Sequence, residues 1–221
     1  WSPRQTLGEG GNWWVDNRAA DGSAFDVYFE GRKVGRVEWG LTGEHNVSNA
    51  LAAMAAARHV GVEPHISCEA LSDFKNVKRR MEKLACVGGV TVYDDFAHHP
   101  TAIATTLAGL RAQVGNAKIT AIIEPRSNTM KAGVHRQSLL DACEMANEIH
   151  WYEPGGLDWS LADLVQQYED TQSSNKHFCH KALVAIIENV VAGADAGDHI
   201  VVMSNGGFEG IHGRLITALD K

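Results

Sequence analysis

Apolar residues are spaced in two different ways along this chain, and the spacing changes near residue 65. Phe25-Asp26-Val27-Tyr28-Phe29 and Val34-Gly35-Arg36-Val37-Glu38-Trp39 carry apolar side chains at strand spacing, and the chain before them reads as irregular. Gly31-Arg32 between them predicts a turn, and so an antiparallel pair. The alanine-rich run after Gly43 predicts a helix that stops at Gly61, with Pro64 beyond it as a breaker. A domain boundary is expected at residues 62–66, dividing the chain into 1–64 and 65–221.

Beyond that boundary short apolar runs alternate with helical stretches. Strands are predicted at 81–87, 90–96, 118–124, 148–152, 176–179 and 199–204, and helices at 101–113, 133–146, 160–168, 181–192 and 208–220. Such alternation predicts an α/β fold, a Rossmann-like, mostly parallel sheet with helices on both faces. Ligands of these sheets bind beyond the carboxyl ends of the strands. Three such ends are polar for their place: Asp94-Asp95-Phe96-Ala97-His98-His99-Pro100, Glu124-Pro125-Arg126-Ser127-Asn128 and Ser204-Asn205-Gly206-Gly207.

Composition narrows the class without naming a chemistry. The 221 residues are 44% hydrophobic and 21% charged, ordinary for a globular protein. No run approaches the roughly 18 apolar residues of a membrane helix. A formal net charge of -7 argues against broad nucleic-acid binding, which rests on Lys and Arg neutralising phosphates. Cys68, Cys86, Cys143 and Cys179 form no CxxC pair, so neither zinc nor redox chemistry is indicated. Reduced thiols and the lack of a signal segment point to the cytoplasm. The chain opens Trp1-Ser2-Pro3 without an initiator Met and is read as part of a longer protein.

Three strings occur in a specific order: Gly43-Glu44-His45-Asn46-Val47-Ser48-Asn49-Ala50 at a helix start, Phe74-Lys75-Asn76-Val77-Lys78-Arg79-Arg80-Met81-Glu82, and Asp94-Asp95-Phe96-Ala97-His98-His99-Pro100-Thr101. In letters, order and spacing they resemble the end of the central ATPase domain and the start of the C-terminal domain of Mur ligases. The resemblance covers essentially the whole chain. It implies an ATP- and Mg2+-dependent ligase that forms an amide through an acyl phosphate. The paired histidines resemble the members that act directly on UDP-N-acetylmuramate. Glu124-Pro125-Arg126-Ser127-Asn128-Thr129-Met130-Lys131 resembles the members that attach a murein tripeptide, L-Ala-γ-D-Glu-meso-diaminopimelate, in cell-wall recycling. Addition of free L-alanine to the same sugar is the nearest alternative, and a nucleotide- or peptide-binding module without turnover is another. A nicotinamide-dependent dehydrogenase is disfavoured, because no GxGxxG opens a first βαβ unit here.

Two departures accompany the resemblance. The phosphate-cradling GxxxxGK[ST] loop does not occur in these residues, and it, the magnesium ligands and the UDP-binding domain are expected upstream. Asn76 stands where relatives often have Gly, so the local turn is expected to differ and to displace Arg79 or Arg80.

Each candidate has a plainer explanation. Asn46 and Asn49 share one helix face, and the resemblance implies that both contact ATP; Asn is also a common cap near a helix start. His45 beside them is a ligand contact or a partly buried imidazole. The resemblance assigns Arg80 to the γ-phosphate, where a guanidinium fork suits phosphate oxygens, although a basic run is more often a solvated face. Glu82 is expected to orient the arginine. Asp95 ends a strand, where its carboxylate suits ribose hydroxyls or caps the next helix. Two adjacent histidines rarely present both rings to one ion, so His98 and His99 are expected to position substrate or nucleotide. Arg126 and Asn128 suit a peptide carboxylate, with a structural ion pair as the alternative. Ser204, Asn205 and Gly206 offer backbone N–H groups to an anionic group of the peptide, or form an ordinary turn. The sequence carries no information on oligomeric state.

Overall fold

The computed structural model describes residues 4–221 except Ser127, His135, Pro154 and 170–174. They form two compact units, Trp1–Asn76 and Val77–Lys221.

In the first unit β1 (Trp13–Asp16), β2 (Ala24–Phe29) and β3 (Arg32–Glu38) form an antiparallel sheet in that order. Phe25, Val27 and Phe29 alternate onto the buried face. They meet Val47, Ala50, Leu51 and Met54 of α1 (Glu44–His59), whose spacing of three and four draws one apolar stripe. The turn joining β2 and β3 sits one residue earlier than expected. Glu30 and Gly31 both take positive φ, which two-residue hairpins favour, and Arg32 already pairs with Phe29. Pro64 starts a helix instead of breaking one, because the first helical position needs no N–H: α2 spans Pro64–Ser72. This helix packs on β3, where a Cβ on Gly35 would lie 2.7 Å from Cys68 Sγ. The first compact unit therefore runs on to Asn76, beyond the expected boundary at 62–66.

The second unit follows the predicted alternation. Its elements are β4 (Glu82–Val87), β5 (Val90–Asp95), α3 (Pro100–Val114), β6 (Ile119–Ile123), α4 (Asn128–Lys131), α5 (Arg136–Asp141), β7 (Glu148–Tyr152), α6 (Leu161–Glu169), β8 (Lys176–His180), α7 (Leu183–Ala192), β9 (His199–Met203) and α8 (Ile211–Leu219). The sheet order is β4-β5-β9-β6-β7-β8, parallel throughout except for β4 against β5. Tyr93, Ala121, Trp151 and Val201 face α3, α5 and α6, whereas Val92, Ile122, Tyr152 and Val202 face α7 and α8. The helix expected at 133–146 is shorter, limited to α5, and Gly133 before it has φ of 69°. The helix expected at 208–220 is divided into a 3-10 turn, Phe208–Gly210, and α8.

β9 lies between β5 and β6, so the chain reverses direction across the sheet here, and the carboxyl ends of β5, β9 and β6 are neighbours. All three polar strand ends singled out in the sequence therefore gather at one switch point, where doubly wound sheets bind ligands.

Candidate active site

Asp94 and Asp95 leave the end of β5 toward opposite faces, as adjacent strand residues must. On the α8 side, Asp94 Oδ2 lies 3.3 Å from Arg79 Nε and its Oδ1 3.1 Å from His212 Nε2. On the α3 side, Asp95 is 3% exposed. Its Oδ2 accepts the Met81 N–H at 2.7 Å, and its Oδ1 accepts the Ala97 N–H at 2.8 Å and the Thr106 hydroxyl at 3.4 Å. Burial pushes the Asp95 carboxyl upward, against the pull of those donors and of Arg80. A ribose contact at Asp95 would have to compete with these three internal donors.

Arg79 and Arg80 point to different places. Arg79 takes φ of 61° and Met81 φ of 48°, left-handed values that cost side-chain-bearing residues strain. Three bonds hold the segment: Glu82 Oε2 accepts the Arg79 N–H at 2.9 Å, the Arg79 carbonyl accepts the Phe96 N–H at 2.8 Å, and Asp95 holds Met81. Glu82 therefore holds the backbone of the arginine pair through the Arg79 N–H. Arg79 Nη2 turns inward and donates to the Ser204 carbonyl at 2.5 Å and the Gly206 carbonyl at 2.9 Å. Arg80 remains exposed, with its guanidinium 5.8 Å from the Phe96 ring centroid.

At the end of β9, Ser204 is 1% exposed and every polar group it has is engaged. Its N–H donates to the Asp95 carbonyl at 3.2 Å and its hydroxyl to Glu124 Oε2 at 2.5 Å, while its Oγ accepts the Gly206 N–H at 2.9 Å. The Ser204 and Gly206 N–H groups, expected from the sequence to face an anion, are thus already engaged within the protein. Gly206 has a different role. A Cβ there would collide with the Arg126 guanidinium, so the missing side chain lets Arg126 lie across the turn. Arg126 is 53% exposed and 4.0 Å from Glu124 Oε1, too exposed to be consumed by an internal ion pair. Asn128, at the start of α4, is exposed, and Asn205 is half-buried.

His98 and His99 are half-buried at the start of α3. His98 Nδ1 lies 2.8 Å from the Phe96 carbonyl, its ring edge-on to Phe96, and His99 occupies the N-cap position. On α1 of the first unit, His45 is half-buried and Asn49 exposed, and the Asn46 amide donates to the Thr42 carbonyl at 2.7 Å.

Residues 79–206, the span holding these strand ends, match the Mur ligase, glutamate ligase domain. The chain belongs to the Mur ligase family. Among Mur ligases it is 45% identical over 222 residues to the UDP-N-acetylmuramate--L-alanyl-gamma-D-glutamyl-meso-2,6-diaminoheptandioate ligase of Escherichia coli (strain K12), covering 100% of this chain and 48% of that protein. The crystal structure of a murein peptide ligase from Psychrobacter arcticus 273-4 superposes with a TM-score of 0.72 at 45% identity, over 97% of this chain and 46% of that one. The UDP-N-acetylmuramate-alanine ligase of Thermotoga maritima shares the fold, with a TM-score of 0.77 over 96% of this chain and 47% of that one, at 20% identity. The chain spans about half the length of the relatives it matches.

Sequence reasoning did not single out Arg79, Tyr152, Glu209 or His212, which the structure places beside these strand ends. Tyr152 ends β7 and donates its hydroxyl to Glu209, a bond that pushes the phenol up to about 12. Its place at a strand end was a usable signal. Glu209 was hidden inside a predicted helix, and takes φ of 49° in the turn before α8.

Proposed function

We propose that this chain is the C-terminal part of an ATP-dependent ligase that joins UDP-N-acetylmuramate to the tripeptide L-Ala-γ-D-Glu-meso-diaminopimelate, acting in the cytoplasm in cell-wall recycling. In this reading the first compact unit, through Asn76, belongs to the central ATP-binding domain and Val77–Lys221 to the C-terminal domain, in place of the division at 64 and 65 expected from the sequence. Support comes from the relatives' names at 43–45% identity over essentially the whole chain. The observation that carries the peptide assignment is Arg126, laid over Gly206 with its side chain half exposed to solvent at the switch point.

In the reaction, the lactyl carboxylate of the sugar attacks the γ-phosphate of ATP, giving an acyl phosphate and ADP. The tripeptide amine then displaces phosphate and loses a proton as the amide forms. No side chain of this chain becomes covalently attached. Arg80, exposed and with its backbone held by the strained turn, fits a role at the transferring phosphoryl group, where charge in the transition state is stabilised electrostatically. By the family resemblance His45, Asn46 and Asn49 of the first unit and Asp95 of the second are each assigned to nucleotide, and His98, His99, Asn128, Ser204, Asn205 and Gly206 to substrate. The carboxylates Asp94 and Asp95 do not fit Mg2+, because arginine, histidine and N–H donors already surround them. The deciding assay supplies the full-length enzyme with UDP-N-acetylmuramate, ATP and either tripeptide or free L-alanine. Phosphate release with tripeptide and not with alanine is expected. The opposite preference would replace this reading with the alanine-adding activity named for a relative 40% identical over 61% of this chain.

A further inference from the structure

We infer that Arg79 is a positioning residue for the peptide-facing turn, acting through the carbonyls of Ser204 and Gly206. The inference rests on the peptide reading of that turn, and its geometry is independent of that reading. One nitrogen, Arg79 Nη2, donates to both carbonyls, at 2.5 and 2.9 Å, while Nε of the same guanidinium faces Asp94 Oδ2 at 3.3 Å. The guanidinium is thus oriented from below by a buried carboxylate and grips the turn above it. Arg79 Cζ also lies 5.2 Å from the Phe96 ring centroid, which limits its sideways movement.

What the grip fixes is the surface over which Arg126 lies. The Ser204 and Gly206 carbonyls and the Gly206 N–H are held, the last by Ser204 Oγ, so the turn has little freedom to rotate its peptide planes. Since a Cβ at Gly206 would strike the Arg126 guanidinium, a small movement of the turn would displace that guanidinium as well. Arg79 touches no reacting atom in this arrangement; it sets the height of the platform beneath Arg126. The left-handed backbone at Arg79 and Met81 sends Arg79 inward and leaves Arg80 outside, so one strained turn serves both the phosphate-facing cation and the peptide-facing turn.

Lysine at position 79 keeps the charge beside Asp94 but replaces a planar fork by a single ammonium, which cannot hold the same three acceptors in the same plane. The test uses the full-length enzyme carrying Arg79→Lys, with Arg126→Ala alongside, and measures KM for tripeptide, ATP and UDP-N-acetylmuramate together with the thermal midpoint. Arg79→Lys is expected to raise KM for tripeptide about tenfold while KM for ATP stays within about twofold, as loss of one charge-assisted contact implies. A residue that merely supports the fold would shift the thermal midpoint without separating the KM values. An unchanged KM for tripeptide in folded Arg79→Lys, or an equal rise for ATP, would overturn the inference. If Arg126→Ala raises KM for tripeptide and Arg79→Lys does not, the peptide reading stands and the inference falls. If only Arg79→Lys raises it, the turn is confirmed as peptide-facing and the Arg126 assignment falls instead.

Discussion

Arg126 leaves the end of β6 with its backbone N–H bonded to the Glu124 carbonyl at 2.9 Å and its side chain folded back across Gly206. Removing it should leave the fold unchanged, since so exposed a pair with Glu124 contributes little. A charge-assisted bond to a substrate carboxylate contributes roughly 1.5–3 kcal/mol, so Arg126→Ala should raise KM for tripeptide by about ten- to a hundredfold. Arg126→Lys should recover only part of this loss, and unchanged constants in both variants, with circular dichroism intact, would make Arg126 a structural residue. On the nucleotide side Arg80→Ala should chiefly lower kcat, because its charge matters as phosphoryl charge shifts. Asp95→Ala would also remove the acceptors of the Met81 and Ala97 N–H groups, and Asp95→Asn keeps one acceptor while setting its NH2 against the other N–H, so Asp95→Asn is read together with the thermal midpoint. It should raise KM for ATP; small, equal effects of Asp95→Asn and Arg80→Ala on both parameters would assign both residues to the scaffold. Residue types at strand ends were legible in the sequence, but their partners were not. Nothing in the letters Lys78-Arg79-Arg80 indicates that one arginine turns in and the other out, because that follows from φ at Arg79 and Met81.

β7 and β8 carry an unusual number of histidines into the protein. His150 Nδ1 lies 3.0 Å from His180 Nε2 and its ring stacks on Phe178, while His177 Nδ1 accepts the Trp151 indole N–H at 3.1 Å. Burial, with His180 adding to it at His150, pulls both His150 and His177 from 6.5 down to about 4. Both rings are therefore neutral in the fold at pH values where the unfolded chain is protonated. Their contribution to stability is complete above about pH 6.5 and is lost as pH falls toward about 4. The unfolding free energy from urea titrations should drop over that window, by on the order of 1 kcal/mol per histidine per pH unit. His177→Gln, which keeps an acceptor for the indole, should make the decline shallower; equal slopes in both proteins would rule out His177 as a contributor. At this scale the sequence was most informative where hydrophobic runs were long. It predicted β7 at the residues where it lies, yet missed β1, only four residues in a glycine-rich surround, and α2, whose first residue is a proline.

Residues 77–221 hold a complete six-stranded sheet with buried faces on both sides. Expressed alone they should unfold in one cooperative transition, and a gradual, non-cooperative melt would show that the second unit depends on the first. The 221-residue chain should release no phosphate from ATP when given sugar and tripeptide, because the phosphate-cradling loop is not among its residues; turnover would refute that. The α/β class was legible because alternation of strand and helix leaves few other layered arrangements. Strand order was not, since spacing along the chain does not encode which strand sits beside which. The position of β9 has a consequence for biosynthesis. It joins the sheet after the other five strands yet sits near its middle, pairing with β5 on one side and β6 on the other. Until His199–Met203 leave the ribosome, two strand edges destined for the interior have no partner, and open edges are where nascent chains pair with the wrong neighbour. Assembly of this unit must wait for nearly its whole length to be made, so slowed or premature termination before β9 should yield insoluble rather than partly active chains.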